Sequence, residues 1–165
     1  MKFYDREMEL TMLKKNWEQS ANHSMMTTLI GRRRIGKTSL LLKSAEGHPA
    51  LYLYVSKDNE QLLCRKFQQQ ALRQLGLHIH GNVTSFGTLF EELMIYGREN
   101  HYTLIIDEFQ NFLGINKAIP SEIQDVWSSR AREFHPHPLT EPCVKVSPHT
   151  ALLTQLFVHR HNLGV

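Results

Sequence analysis

Apolar residues along this chain recur at helical spacing, then at strand spacing, and the alternation repeats. Behind Asp5, a good N-cap, and the first-turn pair Arg6-Glu7, residues Leu10, Leu13 and Trp17 fall at i, i+3 and i+7. They predict a helix from Asp5 to about Ala21. Asn22-His23-Ser24 breaks it, and the apolar run Met25 to Ile30 predicts a strand. Lys37 to about Ala45 follows as a helix, stopped by Gly47-His48-Pro49. Ala50 to Val55 predicts a second strand, apolar on both faces as buried parallel strands are. Glu60 to Leu75, with Leu63, Phe67 and Ala71 on one stripe, predicts a helix closed by Gly76. Ser85 predicts the cap of another, carrying Phe86, Leu89, Phe90 and Leu93 and ending near Gly97. Tyr102 to Asp107 predicts a third strand, and Ile119 to Phe134 a further helix. Strands alternating with helices predict an α/β fold, a parallel sheet with helices on its faces.

Composition narrows the class without changing that picture. The 165 residues suit one domain of ordinary size, with 41% hydrophobic and 21% charged residues as in soluble globular proteins. No apolar run approaches the roughly 20 residues a membrane span needs. The opening Met-Lys-Phe-Tyr-Asp-Arg-Glu lacks the apolar stretch of a secretory signal. Cys64 and Cys143 are far apart and form no CxxC, so neither a disulfide framework nor a zinc site is indicated. A cytoplasmic protein with no membrane association is expected. The net charge of +3 does not argue for nucleic acid, because Arg32, Arg33 and Arg34 supply it locally. Those three are open to phosphate, to a partner or to water.

The densest chemical signal lies between the first strand and the second helix. Gly31, Gly36, Lys37 and Thr38 fall at the spacing G-x-x-x-x-G-K-[ST], and the strand before and helix after give the motif the context it needs. Backbone N–H groups from Gly31 through Arg32, Arg33, Arg34 and Ile35 to Ser39, with the helix start, form an anion site. Lys37 can reach the β- and γ-phosphates, and the Thr38 hydroxyl can ligate Mg²⁺. A second signal closes the third strand, where Asp107 and Glu108 stand at the edge at which open parallel sheets bind ligands. Asp107 is placed to hold Mg²⁺ and Glu108 to deprotonate the water that attacks the γ-phosphate. Adjacent strand residues face opposite ways, so both serve one site only if the strand ends at Asp107. A guanine reader would require Asn-Lys-x-Asp; Asn116-Lys117 is followed by Ala118-Ile119, so ATP is favoured over GTP. His135-x-His137 and His159-x-His161, without cysteine or carboxylate partners, are poor metal sets, and His78-x-His80 reads as a solvated turn.

Three stretches together carry a family likeness: Phe3-Tyr4-Asp5-Arg6-Glu7-Met8-Glu9-Leu10, Gly-Arg-Arg-Arg-Ile-Gly-Lys-Thr and Leu-Ile-Ile-Asp-Glu-Phe-Gln. The set resembles the archaeal-type ATPase family, in the AAA+/STAND branch of P-loop ATPases, over about residues 1–127. The resemblance implies a three-layer P-loop NTPase with an AAA+-like parallel sheet, ATP and Mg²⁺ as cofactors, and adenine near the N-terminal segment. By matching position Arg6 and Glu7 would shape that pocket, the alternative being an ordinary capped first turn. It further implies a fourth strand, bearing a sensor residue, between the phosphate-loop strand and the Asp107 strand. Beyond it such proteins continue into a helical lid and a C-terminal winged-helix or nuclease-like region.

None of these can be matched after Trp127. Residues 128–165 hold half of the ten histidines and most of the six prolines, and read as a truncated or out-of-frame ending. Only Cys143 to Val146 or Leu152 to Val158 could offer the fourth strand, and neither reads as clearly as the first three. The expectation is an incomplete sheet with unpaired strand edges. It divides into an N-terminal helical segment (1–24), a P-loop ATPase core (25–127) and a poorly ordered tail (128–165). The activity expected is Mg²⁺-dependent ATP hydrolysis, impaired by the missing part and dependent on a protein partner or self-association. Two alternatives stay open: a hydrolysis-deficient nucleotide-binding fragment or switch module, and an ATP-driven factor acting on nucleic acid, the last by family analogy alone.

Overall fold

The computed structural model describes residues 6–21, 24–31, 34–134 and 151–158. In chain order these form α1 (Glu7–Gln19), β1 (Met25–Gly31), α2 (Lys37–Ser44), β2 (Ala50–Tyr54), α3 (Glu60–Leu75), α4 (Phe86–Tyr96) and β3 (Tyr102–Asp107). A 3-10 turn (Phe109–Asn111) then leads into α5 (Phe112–Ile115), α6 (Ile119–Phe134) and β4 (Ala151–Val158). Local chemistry sets the ends of α3 and the start of α4. The Asn59 side chain accepts from the Leu62 N–H at 2.9 Å at the start of α3, and Ser85 accepts from the Thr88 N–H at 3.2 Å at the start of α4. Gly76, at φ 68°, closes α3 in the left-handed conformation that glycine adopts without penalty. The expected Asp5 cap of α1 lies outside the described residues; Arg6, which is described, stands at the N-cap and makes no side-chain cap hydrogen bond. No described helix is long and apolar enough to cross a membrane.

The strands lie in the order β1-β4-β3-β2. β2 and β3 are parallel, in register from Ala50 opposite Thr103 to Tyr54 opposite Asp107. Two expectations are corrected by β4. The sheet is mixed rather than all-parallel, because β4 runs antiparallel to both neighbours. It enters opposite Gly31 and Ile106, the ends where β1 and β3 finish, and leaves opposite Met25 and Tyr102. A mostly apolar run such as Ala-Leu-Leu-Thr-Gln-Leu-Phe-Val fills a central gap in either direction, and antiparallel ladders are at least as stable per residue. The second correction concerns the empty gap: β4 pairs along the whole of β1 and along 102–106 of β3, so those edges are not bare. The boundary expected after residue 127 falls inside α6, and the expected tail supplies β4. The other candidate fourth strand, 143–146, lies outside the described residues, as do both C-terminal histidine pairs.

Strand alternation divides the core between two helical layers. Leu51, Leu53, Leu104 and Ile106 face α3, α4 and α6, in a cluster with Phe67, Phe86, Phe90, Phe112, Ile123 and Trp127. Ile105, with Ala50 and Tyr52 beside it, faces α1 and α2, where Leu13, Leu40 and Leu41 are buried. Helices thus cover both faces of the sheet. Asp107, two residues after Ile105, falls on the α2 side.

Candidate functional site

The phosphate-loop motif and the carboxylate at the end of β3 meet directly. Thr38 Oγ1, in the first turn of α2, donates to Asp107 Oδ2 at 2.9 Å. The same oxygen accepts from the Tyr52 hydroxyl at 2.7 Å, and Asp107 Oδ1 accepts from the Glu108 N–H at 2.8 Å. Three donors therefore hold one carboxylate that is only 5% exposed. Burial raises the Tyr52 phenol pKa, and the hydrogen bond to Asp107 and the charge of Asp107 raise it further. Tyr52 therefore stays a neutral donor at every physiological pH.

Around this contact the loop backbone turns sharply. Gly36, at φ 83°, is the N-cap of α2, and Arg34 is left-handed at φ 64°. The Leu40 N–H bonds the Gly36 carbonyl at 2.9 Å, which starts the helix there and leaves the first-turn N–H groups directed out of its end. Lys37 is 7% exposed, while Ser39 is partly buried and Ile35 exposed. Gly31 ends β1; Arg32 and Arg33 lie outside the described residues. Arg6 reaches this loop, its Nη2 donating to the Ile35 carbonyl at 3.0 Å while Nη1 bonds Glu9 at 3.2 Å. Glu7, by contrast, is exposed on the first turn of α1.

β3 ends at Asp107, and Glu108 takes φ 58° and ψ 36°. A continuing strand would send Glu108 to the opposite face from Asp107; the left-handed residue breaks that alternation. Such a conformation is costly for a residue with a Cβ and gathers at functional sites. Gln110 is half-buried and donates from Nε2 to Glu108 Oε2. Beside it opens a polar cleft of about 570 Å³, lined by Lys57, Asn59, Glu60, Gln110 and Asn111 among others.

Sequence reasoning missed Tyr52. Its signal was parity, since Tyr52 and Asp107 share a sheet face once β2 and β3 are paired in register. Register across a gap of some fifty residues is not visible in a linear pattern.

Comparison with known proteins places the chain in a family. The AAA domain family model matches residues 23–132, more than half of the chain, from β1 through most of α6. An uncharacterized protein of Methanocaldococcus jannaschii is 30% identical over 124 residues, 75% of this chain and 26% of that protein. The chain thus spans about a quarter of that relative's length. No solved structure matches significantly. The match is to a nucleotide-binding, ATPase-type domain at the level of the family, and the chain belongs to the AAA domain family.

Proposed function

We propose that this chain binds ATP with Mg²⁺ at the edge where β1 and β3 finish, and hydrolyses it. The observation that carries this reading is the 2.9 Å hydrogen bond from Thr38 Oγ1 to Asp107 Oδ2, made across 69 residues of sequence. A threonine whose proton is committed to a carboxylate presents its oxygen lone pairs to a cation. The residues fit Mg²⁺ on that account, with Thr38 and Asp107 holding it. When bound, Mg²⁺ supplies the counter-charge for the phosphates. The loop amides of residues 31–39, Arg32 and Arg33 included, cradle the phosphate oxygens, and Lys37 places its charge on the β- and γ-phosphates. Arg6 acts on the loop through the Ile35 carbonyl, and Glu7 remains the candidate nearer the adenine. Glu108 takes the proton of the water whose oxygen attacks the γ-phosphorus, as the bond to the β–γ bridging oxygen breaks. The functional core is then 25–127 together with β4. A cytoplasmic setting, where ATP is abundant, suits this activity.

The test joins calorimetry with a turnover assay, run with and without DNA. Lys37→Ala is expected to lose measurable ATP binding; equal affinity in variant and parent would overturn the site. Glu108→Gln should keep binding and lower turnover by roughly a hundredfold or more. If Glu108→Gln loses binding instead, Glu108 has a structural role. The Gln110 bond, which occupies one oxygen of the base, favours a second reading in which the parent binds ATP without turning it over. Stimulation by DNA would point to work on nucleic acid.

A further inference from the structure

We infer that Tyr52 is a positioning residue of this site, whose hydroxyl acts through Asp107 to aim the Thr38 oxygen at the metal. The inference rests on the ATP and Mg²⁺ reading. The orientation of the Asp107 carboxylate decides where the Thr38 proton points, and therefore where the Thr38 lone pairs point. Thr38 and Tyr52 donate to the same oxygen, Oδ2, at 2.9 and 2.7 Å, while the Glu108 N–H takes Oδ1 at 2.8 Å. Without Tyr52, Thr38 alone among the described residues would hold Oδ2, and the two could turn together. With it, Oδ2 is fixed from β2, an element that takes no part in the loop.

A second observation concerns how Tyr52 itself is held. Among the described residues β2 is at the edge of the sheet, and its outward N–H and C=O groups at even positions have no described strand beside them. At Tyr52 both are taken by one side chain: the Tyr52 N–H donates to Gln74 Oε1 at 2.8 Å, and Gln74 Nε2 donates to the Tyr52 carbonyl at 3.3 Å. The amide of Gln74, on α3, stands in for a neighbouring strand at the β2 residue whose side chain reaches Asp107. A buried tyrosine hydroxyl usually finds some acceptor. Here the acceptor is the oxygen that also takes the Thr38 proton, and the backbone behind it is clamped. The linkage runs Gln74, Tyr52, Asp107, Thr38, from the outer helix layer to the proposed metal ligand.

The experiment measures ATP affinity of the full chain by calorimetry, with Mg²⁺ and with EDTA, together with thermal denaturation. Tyr52→Phe keeps the ring and removes only the hydroxyl. Its affinity in EDTA should match the parent, while the gain on adding Mg²⁺ shrinks roughly three- to tenfold, the net worth of about one ordinary hydrogen bond felt through Asp107. Gln74→Ala, which leaves the hydroxyl but loosens its strand, should lower the same gain by less and serves where Tyr52→Phe does not fold. In an Asp107→Asn background Tyr52→Phe should add little, because the two act on one path. An undiminished Mg²⁺ gain in both variants overturns the inference. So does an equal loss with and without metal, which marks a structural role, or full additivity with Asp107→Asn. A parent that binds no ATP in either buffer overturns the functional reading as well; a parent that binds normally confines any failure to Tyr52.

Discussion

The two ends of the parallel strands hold their side chains in different ways. Where β1 and β3 finish, Arg34, Gly36 and Glu108 all have positive φ, at 64°, 83° and 58°, and two of these are not glycine. The chemistry there is a buried carboxylate with three donors, beside a buried lysine. At the opposite end no described residue other than glycine has a positive φ. Trp17 of α1 lies between His48 and His101, with ring centroids 3.7 Å away on both sides and interplanar angles of 17° and 8°. His48 Nε2 shares a hydrogen bond with Thr103 Oγ1 at 3.0 Å, and His101 Nε2 one with Ser20 Oγ at 2.8 Å. One end spends conformational energy to aim polar groups, and the other stacks rings to anchor α1. The contrast shows where rigidity serves ligand chemistry and where it serves only cohesion.

The largest effect expected from breaking this contrast is at the stacked end. Trp17→Ala removes both ring contacts and should cost about 2–3 kcal/mol in urea denaturation, somewhat below the range for a fully buried tryptophan because Trp17 is partly exposed. Folded Trp17→Ala molecules should keep the parent's ATP affinity, since the sites are well separated. A large loss of affinity would mean that the two ends are coupled.

At the strained end the expected sign is reversed. Glu108→Gly relieves the left-handed backbone and should raise stability by about 0.5–1 kcal/mol even after the added chain entropy of glycine. Glu108→Ala keeps a Cβ and should give no such gain. If both variants shift the urea midpoint alike, the effect comes from the lost charge and not from strain.

The smallest effect is a pH dependence at the stack. Burial lowers the His48 pKa, so below about 6.5 the unfolded chain binds the proton more readily than the folded one. The stability contributed by neutral His48 is therefore complete above pH 6.5 and is lost as pH falls below it toward the folded pKa. Denaturation followed across pH 5 to 8 should show this slope in the parent and a flatter one in His48→Asn. An unchanged slope would assign the dependence to another group.

Much of this was legible from local signals. α3 and α6 begin and end where periodicity and capping put them, at Glu60–Leu75 and Ile119–Phe134. The end of β3 at Asp107 was the condition under which the carboxylate pair could serve one site, and the strand does end there. The stack around Trp17 was not legible, because its three rings come from residues 17, 48 and 101, separated by stretches that carry no trace of their meeting. Tyr52 and Gln74 were hidden in the same way, behind a strand register and a helix packing.

The chain by itself determined the loop, the helix that follows it and the carboxylate at the strand end, because glycine spacing, apolar periodicity and caps act within a few residues. Only the tertiary structure decided the direction of β4. An apolar run such as 151–158 pairs in either sense, and only its register against β1 and β3 shows which sense it takes. The tertiary structure likewise decided that one oxygen of Asp107 serves both Thr38 and Tyr52. A hydrogen bond across fifty or more residues depends on register, and register is a property of two strands together.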